Sequence, residues 1–286
     1  MPDLKRRPPI SARHAFALAF DLAARRDPVH SLLVPFVLRA PWALTLALLP
    51  PLESSPDQAR VLAVASVALV GDFATLLVIS AMLRLRARSV FNTAPGTHPA
   101  PATECYAKGM ARVPSLLVTE VFRNVLLGVA ASFSILPAAA LRLRLDTFFG
   151  DLSTNFLLLV VAVCLLFPTL FLGFRLAVAT ESVVLDDHGM TPALQRSFTL
   201  MQGHFERWLE VLAASAALVL GLALVATLAS AVFPALPDAV VIALFWVFVI
   251  AVTPVIQYAW TFFYLRLVEI EEPIREVGPT YAQAGD

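Results

Sequence analysis

The sequence predicts an all-α integral membrane protein: six transmembrane helices with about three amphipathic helices on the cytoplasmic side of the bilayer. Three observations carry that expectation. The 286 residues are 59% hydrophobic and only 15% charged, and the mean hydropathy is +0.78; a soluble domain carries about a quarter charged residues. The apolar residues gather into six long runs without the period-two alternation of a barrel strand. Lys and Arg are shared very unequally between the connections.

A spanning helix needs about 20 mainly apolar residues, because the hydrocarbon core is roughly 30 Å thick and each residue rises about 1.5 Å. The six runs that qualify are 31–49, 61–83, 114–136, 156–178, 208–233 and 239–265. Arg39 interrupts the first, and Glu120 and Arg123 interrupt the third. No cleaved leader is expected, since the first apolar run begins only at Ser31 and no small-x-small site follows it. Arg6-Arg7 is followed by Pro8-Pro9, so the pair reads as basic flank and not as a twin-arginine signal. Residues 1–30 are then a cytoplasmic N-terminal segment, 31–265 the membrane domain and 266–286 a cytoplasmic tail, disordered from 273 onward. The Pro- and Thr-containing stretch 92–103 reads as a flexible linker.

Basic residues set the expected orientation. Residues 1–30, 84–113, the flanks of the fourth-to-fifth connection and the C-terminal tail together hold 16 Lys and Arg; the opposite side holds only Arg60, Arg142 and Arg144. Both termini are therefore expected in the cytoplasm. Arg outnumbers Lys 19 to 2 in an Ala-rich chain, a bias of GC-rich bacterial genomes, which points to a bacterial cytoplasmic membrane.

Each odd-numbered span follows a shorter amphipathic stretch, giving three repeated units. In the first, Phe16, Ala19, Phe20 and Ala23 share a face opposite His14, Asp21 and Arg25. The second, 102–112, carries Tyr106 and Met110 at helical spacing. In the third, Thr191 can cap a helix with Pro192 in its first turn, Leu194, Phe198 and Met201 form the stripe, and Gly203 stands just past the end. Such helices are expected in the interface, apolar face toward the acyl chains and basic residues toward anionic headgroups, or as ordinary cytoplasmic loops containing some helix.

The composition excludes a soluble enzyme, a disordered chain and a nucleic-acid binder: 21 basic residues balance 21 acidic ones, leaving no excess for a phosphate backbone. Cys105 and Cys164 are too few for a disulfide framework. The five histidines, His14, His30, His98, His188 and His204, fall in no metal-ligand spacing. No nucleophile elbow, phosphate loop or dinucleotide fingerprint is present, so no cofactor is expected.

The informative residues are the charges within the spans. From the rise per residue, Arg39 lies roughly 12 Å deep, Asp72 roughly 16 Å, Glu120 roughly 9 Å and Arg123 roughly 14 Å, all in the cytoplasmic half. An ionised group at the bilayer centre costs at least ~2.5–3.5 kcal/mol, so each needs a partner or a wet cavity. Two readings stay open. Arg39 with Asp72, and Glu120 with Arg123 one turn apart, can be neutral pairs that hold helices in register. Alternatively the four line a cavity open to the cytoplasm, with Asp72 or Glu120 binding a proton or substrate and Gln257 and Tyr258 in the wall. Pro35, Pro41, Pro168 and Pro254 can kink their spans, and Trp208, Trp260, Tyr258 and Tyr264 fit a cytoplasmic-side aromatic belt.

The segment 174–208 carries a more specific pattern. Arg175 stands near the end of the fourth span, followed by Asp187 and Gly189, then by Ala193, Leu194, Arg196, Ser197, Leu200 and Gly203. This run, with the aromatic-rich FFYLRLVEIEE at 262–272, resembles a group of six-helix bacterial membrane proteins related to the membrane domain attached to some glycerophosphoryl diester phosphodiesterases. The resemblance implies a fold and a location. The phosphodiesterase activity of such fusions resides in a separate soluble barrel, which has no counterpart in this chain. Asp186-Asp187-His188 departs from the single acidic residue usual before the Gly, and Arg196 can pair with Asp187 or bind a lipid phosphate. The expected function is that of a non-catalytic membrane protein acting on lipid organisation or as a scaffold for a protein partner, with membrane lipids and no nucleic acid as partners. The alternative is a small transporter or permease subunit using Asp72 and Glu120.

Overall fold

A long apolar run in lipid must satisfy its backbone internally, and here it does so as helix. The computed structural model describes residues 11–49, 57–93, 100–145, 166–232 and 238–277, and no strand occurs among the described residues. Helix α1 (Ala12–Phe20) passes through two π-helical segments, Asp21–Arg26 and Val29–Leu33, into α2 (Val34–Leu48). Then come α3 (Gln58–Asn92), α4 (Ala102–Leu145) and α5 (166–175). The chain continues as α6 (Ala179–Asp186), α7 (Met190–Leu200), α8 (Phe205–Val232) and α9 (Asp238–Val277). Six stretches are long and apolar enough to cross a membrane: Val29–Leu48, Gln58–Asn92, Ala102–Phe133, Leu166–Asp186, Phe205–Val225 and Val240–Glu271. Each overlaps one expected span; positions 156–165 of the fourth lie outside the described residues.

Several helices outrun the bilayer. α3 has 35 residues, α4 has 44 and α9 has 40. At about 1.5 Å per residue they are roughly 50–65 Å long, about twice the hydrocarbon thickness. Hydropathy marks only the part that crosses lipid. Beyond Leu83, α3 runs on through Arg84, Arg86 and Arg88, good helix formers with no Gly or Pro among them. Likewise, residues 266–277, expected in the tail, are the last turns of α9, and 278–286 lie outside the described residues.

The chain divides into two compact units, Met1–Val113 with Glu206–Asp286, and Pro114–Phe205. In the first, α2, α3 and α9 pack together and α1 lies along α9. Burial is uneven along these helices. The first half of α3 exposes Leu62, Val67, Val70 and Phe73, and the first half of α9 exposes Val240, Ile242, Leu244 and Phe248. Their second halves form a dense core around Ile79, Met82, Leu83, Tyr258, Phe263 and Tyr264. The contacts of Phe91 with Phe262 and with the Arg266 guanidinium put both C-terminal halves at the same end. Exposed apolar surface on this scale is incompatible with water and fits lipid contact.

That core revises two expectations. Trp208, Tyr258 and Tyr264 are buried, and Trp260 donates to Ser215 Oγ at 3.2 Å. Trp208, Tyr258 and Tyr264 are interior packing and not a belt, because the helices carrying them enter a protein core where sequence pattern places a membrane surface, while Trp260 is half-buried. The first amphipathic helix is also turned inward. Ala12, Ala15, Phe16, Ala19, Leu22 and Ala23 are buried, whereas Phe20 is exposed, so the small-residue face packs on α9. The second amphipathic stretch is no separate helix; it opens α4 without a break. Its buried face is Ala102, Cys105 and Gly109, not Tyr106 and Met110, because a Cβ at Gly109 would already lie 3.3 Å from the Met82 backbone.

The second unit contains α5, α6 and α7 with the adjoining part of α4. α6 and α7 form a helical hairpin, turned by Asp187 in the left-handed region at φ 61°. α7 starts at Met190 with Gly189 as its N-cap, so Thr191 does not cap it. The buried face of α7 is Ala193, Ser197, Leu200 and Met201, while Phe198 is exposed.

Candidate functional site

The intramembrane charges resolve into two pairs. α2 and α3 bring Arg39 and Asp72 together in a two-pronged bridge: Nε donates to Oδ1 and Nη2 to Oδ2, both at 2.8 Å. Their side chains are 5% and 14% exposed. Arg39 Nη1 reaches Thr253 Oγ1 of α9 at 3.5 Å, so one guanidinium ties three helices. Beside it, Gly71 lets the Trp42 ring lie against α3; a Cβ there would meet that ring at 2.7 Å. Bidentate geometry and low exposure make this the strong form of an ion pair.

Glu120 and Arg123 belong to the second unit. Arg123 Nη2 donates to Glu120 Oε2 at 2.7 Å, and the side chains are 23% and 17% exposed for Arg123 and Glu120. The bond runs along one helix at i, i+3, and Arg123 Nε is buried without a hydrogen-bond partner among the described residues. Each acid thus faces a base, but the two pairs differ: one ties three helices, the other lies within a single helix.

Two motif residues, Arg175 and Ser197, meet at the base of the α6–α7 hairpin. Ser197 Oγ donates to the Arg175 carbonyl at 2.7 Å and accepts from the Val178 N–H at 3.3 Å. Arg175 Nη1 donates to the Phe198 carbonyl at 2.9 Å, and its guanidinium lies 5.3–5.7 Å from the rings of Phe171, Phe174 and Phe198. Ala193 and Leu200 fill the buried face of α7 and Leu194 and Arg196 are half-buried. Asp187 and Gly189 make the exposed turn. Gly203, at φ 82°, ends α7 where a side chain would be strained.

Two groupings escaped the sequence. Buried Asp27 sits at the joint between the π-helical segments, where Arg86 Nε donates to Oδ2 at 2.6 Å and His30 Nδ1 to Oδ1 at 2.8 Å. Arg86 Nη1 also donates to the Ala100 carbonyl, and the Ala100 N–H donates to Ser89 Oγ at 2.6 Å. Both contacts anchor one end of the 92–103 linker; its residues 94–99 lie outside the described residues. Next to this hub, Ser31 Oγ and Tyr258 Oη share a buried hydrogen bond of 2.7 Å. Burial pushes the Asp27 carboxyl up, but His30 and Arg86 overcome it and hold the group below the usual carboxylate value. The second grouping is Glu181 on α6, 3% exposed, which accepts from Thr180 Oγ1 at 3.0 Å. Asp27 precedes the first apolar run and Glu181 follows the expected end of the fourth, so neither registers as a charge placed in lipid.

Among the described residues no group of three or more His, Cys, Asp and Glu could hold a metal ion. The chain matches no family model, no curated protein and no solved structure.

Proposed function

We propose that the chain is a non-catalytic, multi-pass protein of a bacterial cytoplasmic membrane, with both termini inside, that organises lipid or scaffolds a protein partner. The observation that carries this reading is the Arg39–Asp72 bridge. A carboxylate that serves as a carrier must exchange its partner for a proton or a solute, whereas Asp72 has both oxygens occupied by one guanidinium. The basic flanks of the even-numbered connections and the motif shared with the six-helix group support the location.

Reconstitution tests it. The purified protein in liposomes is expected to leave an imposed proton gradient and a panel of internal solutes undisturbed, and to leave the lipid chemically intact. Proton or solute flux that disappears with Asp72→Asn would replace this reading by that of a small transporter. Reporter fusions at each terminus test the orientation independently.

A further inference from the structure

The fourth spanning stretch, Leu166–Asp186, breaks at 176–178, and its last part, α6, pairs with α7 in a hairpin that leads into the fifth. α5 ends at residue 175 and α8 begins at Phe205. The two ends meet where Phe174 and Phe205 pack edge to face, with centroids 5.3 Å apart. Between them stands the α6–α7 hairpin. It leaves α5 through a turn at 176–178 and enters α8 through a turn at 201–203 that contains Gly203. Two non-helical joints thus lie side by side at one end of a packed pair of helices, the arrangement of a hinge.

Backbone bookkeeping at the first joint shows what keeps it shut. The Leu176 N–H bonds to the Leu172 carbonyl, Ala177 to Phe174, and Ala179 to Leu176. The helical ladder therefore skips the half-buried Arg175 carbonyl and the buried Val178 N–H, the latter a group that is costly to leave unpaired. Ser197 supplies both partners with a single hydroxyl. Arg175 adds a return tie to the Phe198 carbonyl, one residue along the same turn of α7. The far tip is held within the hairpin itself, by Ser182 Oγ and His188 Nδ1 at 2.8 Å. On the inner helix, Ala179 to Leu185 are all buried, Glu181 among them.

We infer that the α6–α7 hairpin is a hinged flap, latched by Ser197, that opens as one unit about residues 176–178 and 201–203 and gives Glu181 access to water. This device is independent of the proposed function. Hydrogen exchange on the full-length protein in phospholipid nanodiscs tests it, read by mass spectrometry together with carbodiimide labelling of Glu181. In the wild type, amides of 182–186 and 193–201 exchange as a single group, ahead of those in α5 and α8. Ser197→Ala strands a buried N–H and a half-buried carbonyl, so that group accelerates by about tenfold or more while α3 and α9 do not change. Labelling of Glu181 rises in parallel. Hairpin amides that exchange in step with α5 and α8 in the wild type overturn the flap, and this comparison stands even where the variant does not fold. Uniform acceleration across the chain overturns the latch, and unchanged labelling of Glu181 overturns its exposure on opening.

Discussion

Replacing either member of the Arg39–Asp72 bridge by leucine leaves the other as an isolated charge among apolar helices. Two 2.8 Å bonds are lost, and the survivor is no more than 14% exposed, so water cannot take the partner's place cheaply. Breaking a buried pair from one side costs about 3–5 kcal/mol, whereas removing both charges and filling the space with apolar atoms is often near neutral. Each single variant is therefore expected to unfold on the order of 10 °C below the wild type. Arg39→Leu/Asp72→Leu is expected to recover most of that loss, giving a coupling energy well above the ~0.5 kcal/mol limit of additive sites. Thermal unfolding in mild detergent, followed by the intrinsic emission of the four tryptophans, measures all four proteins alike. Single variants as stable as the wild type would refute the reasoning. The two charges would then already be hydrated, and transport would become the better account.

Smaller perturbations probe the surrounding packing. Gly71→Ala places a methyl 2.7 Å from the Trp42 ring and is expected to destabilise by about 1–3 kcal/mol. Gly128→Ala, with nothing within 4 Å, is expected to stabilise by up to about 1 kcal/mol; equal effects at the two sites would contradict the Trp42 contact. Tyr258→Phe strands the buried Ser31 hydroxyl and is expected to cost about 1–3 kcal/mol by the same unfolding assay. His204 lies between α7 and α8, and burial holds its pKa below the ordinary histidine value. The unfolded chain therefore takes up this proton first, so stability falls as pH drops below about 6.5 and levels off once the folded form also protonates. His204→Asn should flatten that part of the pH–stability curve, and a curve unchanged by the substitution would sink the assignment.

Six crossings were legible because lipid leaves apolar segments so few options that length and continuity suffice. The Arg39–Asp72 pairing was legible for a related reason: a charge at mid-bilayer is expensive enough to demand a partner at equal depth. Legibility failed where the helices leave lipid. Toward one end of the apolar runs the helices enter a protein core, and hydropathy does not separate an aromatic facing headgroups from one facing another helix. Tyr264 and Trp208 were misplaced on that account, as was Phe20 on α1, although Phe16, Ala19 and Ala23 of the same expected face are buried. Asp27 went unnoticed because its partners, Arg86 and His30, come from a helix end and a π turn, and no local spacing brings those three together. Ser197 is an intermediate case. Its place in the motif marked it, but its task depends on a helix break two elements away.

The π-helical passage from α1 into α2 has its own consequence. A π turn reaches back five residues where an α turn reaches four, so each of the two segments, Asp21–Arg26 and Val29–Leu33, carries a surplus residue. Closing either as ordinary helix with every residue kept would give that residue a full α step. It would swing everything before it by about 100° and lengthen the path by about 1.5 Å. Ala15, Ala19 and Ala23, now buried against the bundle, would rotate off α9, and Asp27 would leave the reach of Arg86. In this stretch the chain is tuned by its residue count more than by its composition. A change that makes the helix more regular makes the protein fit together less well.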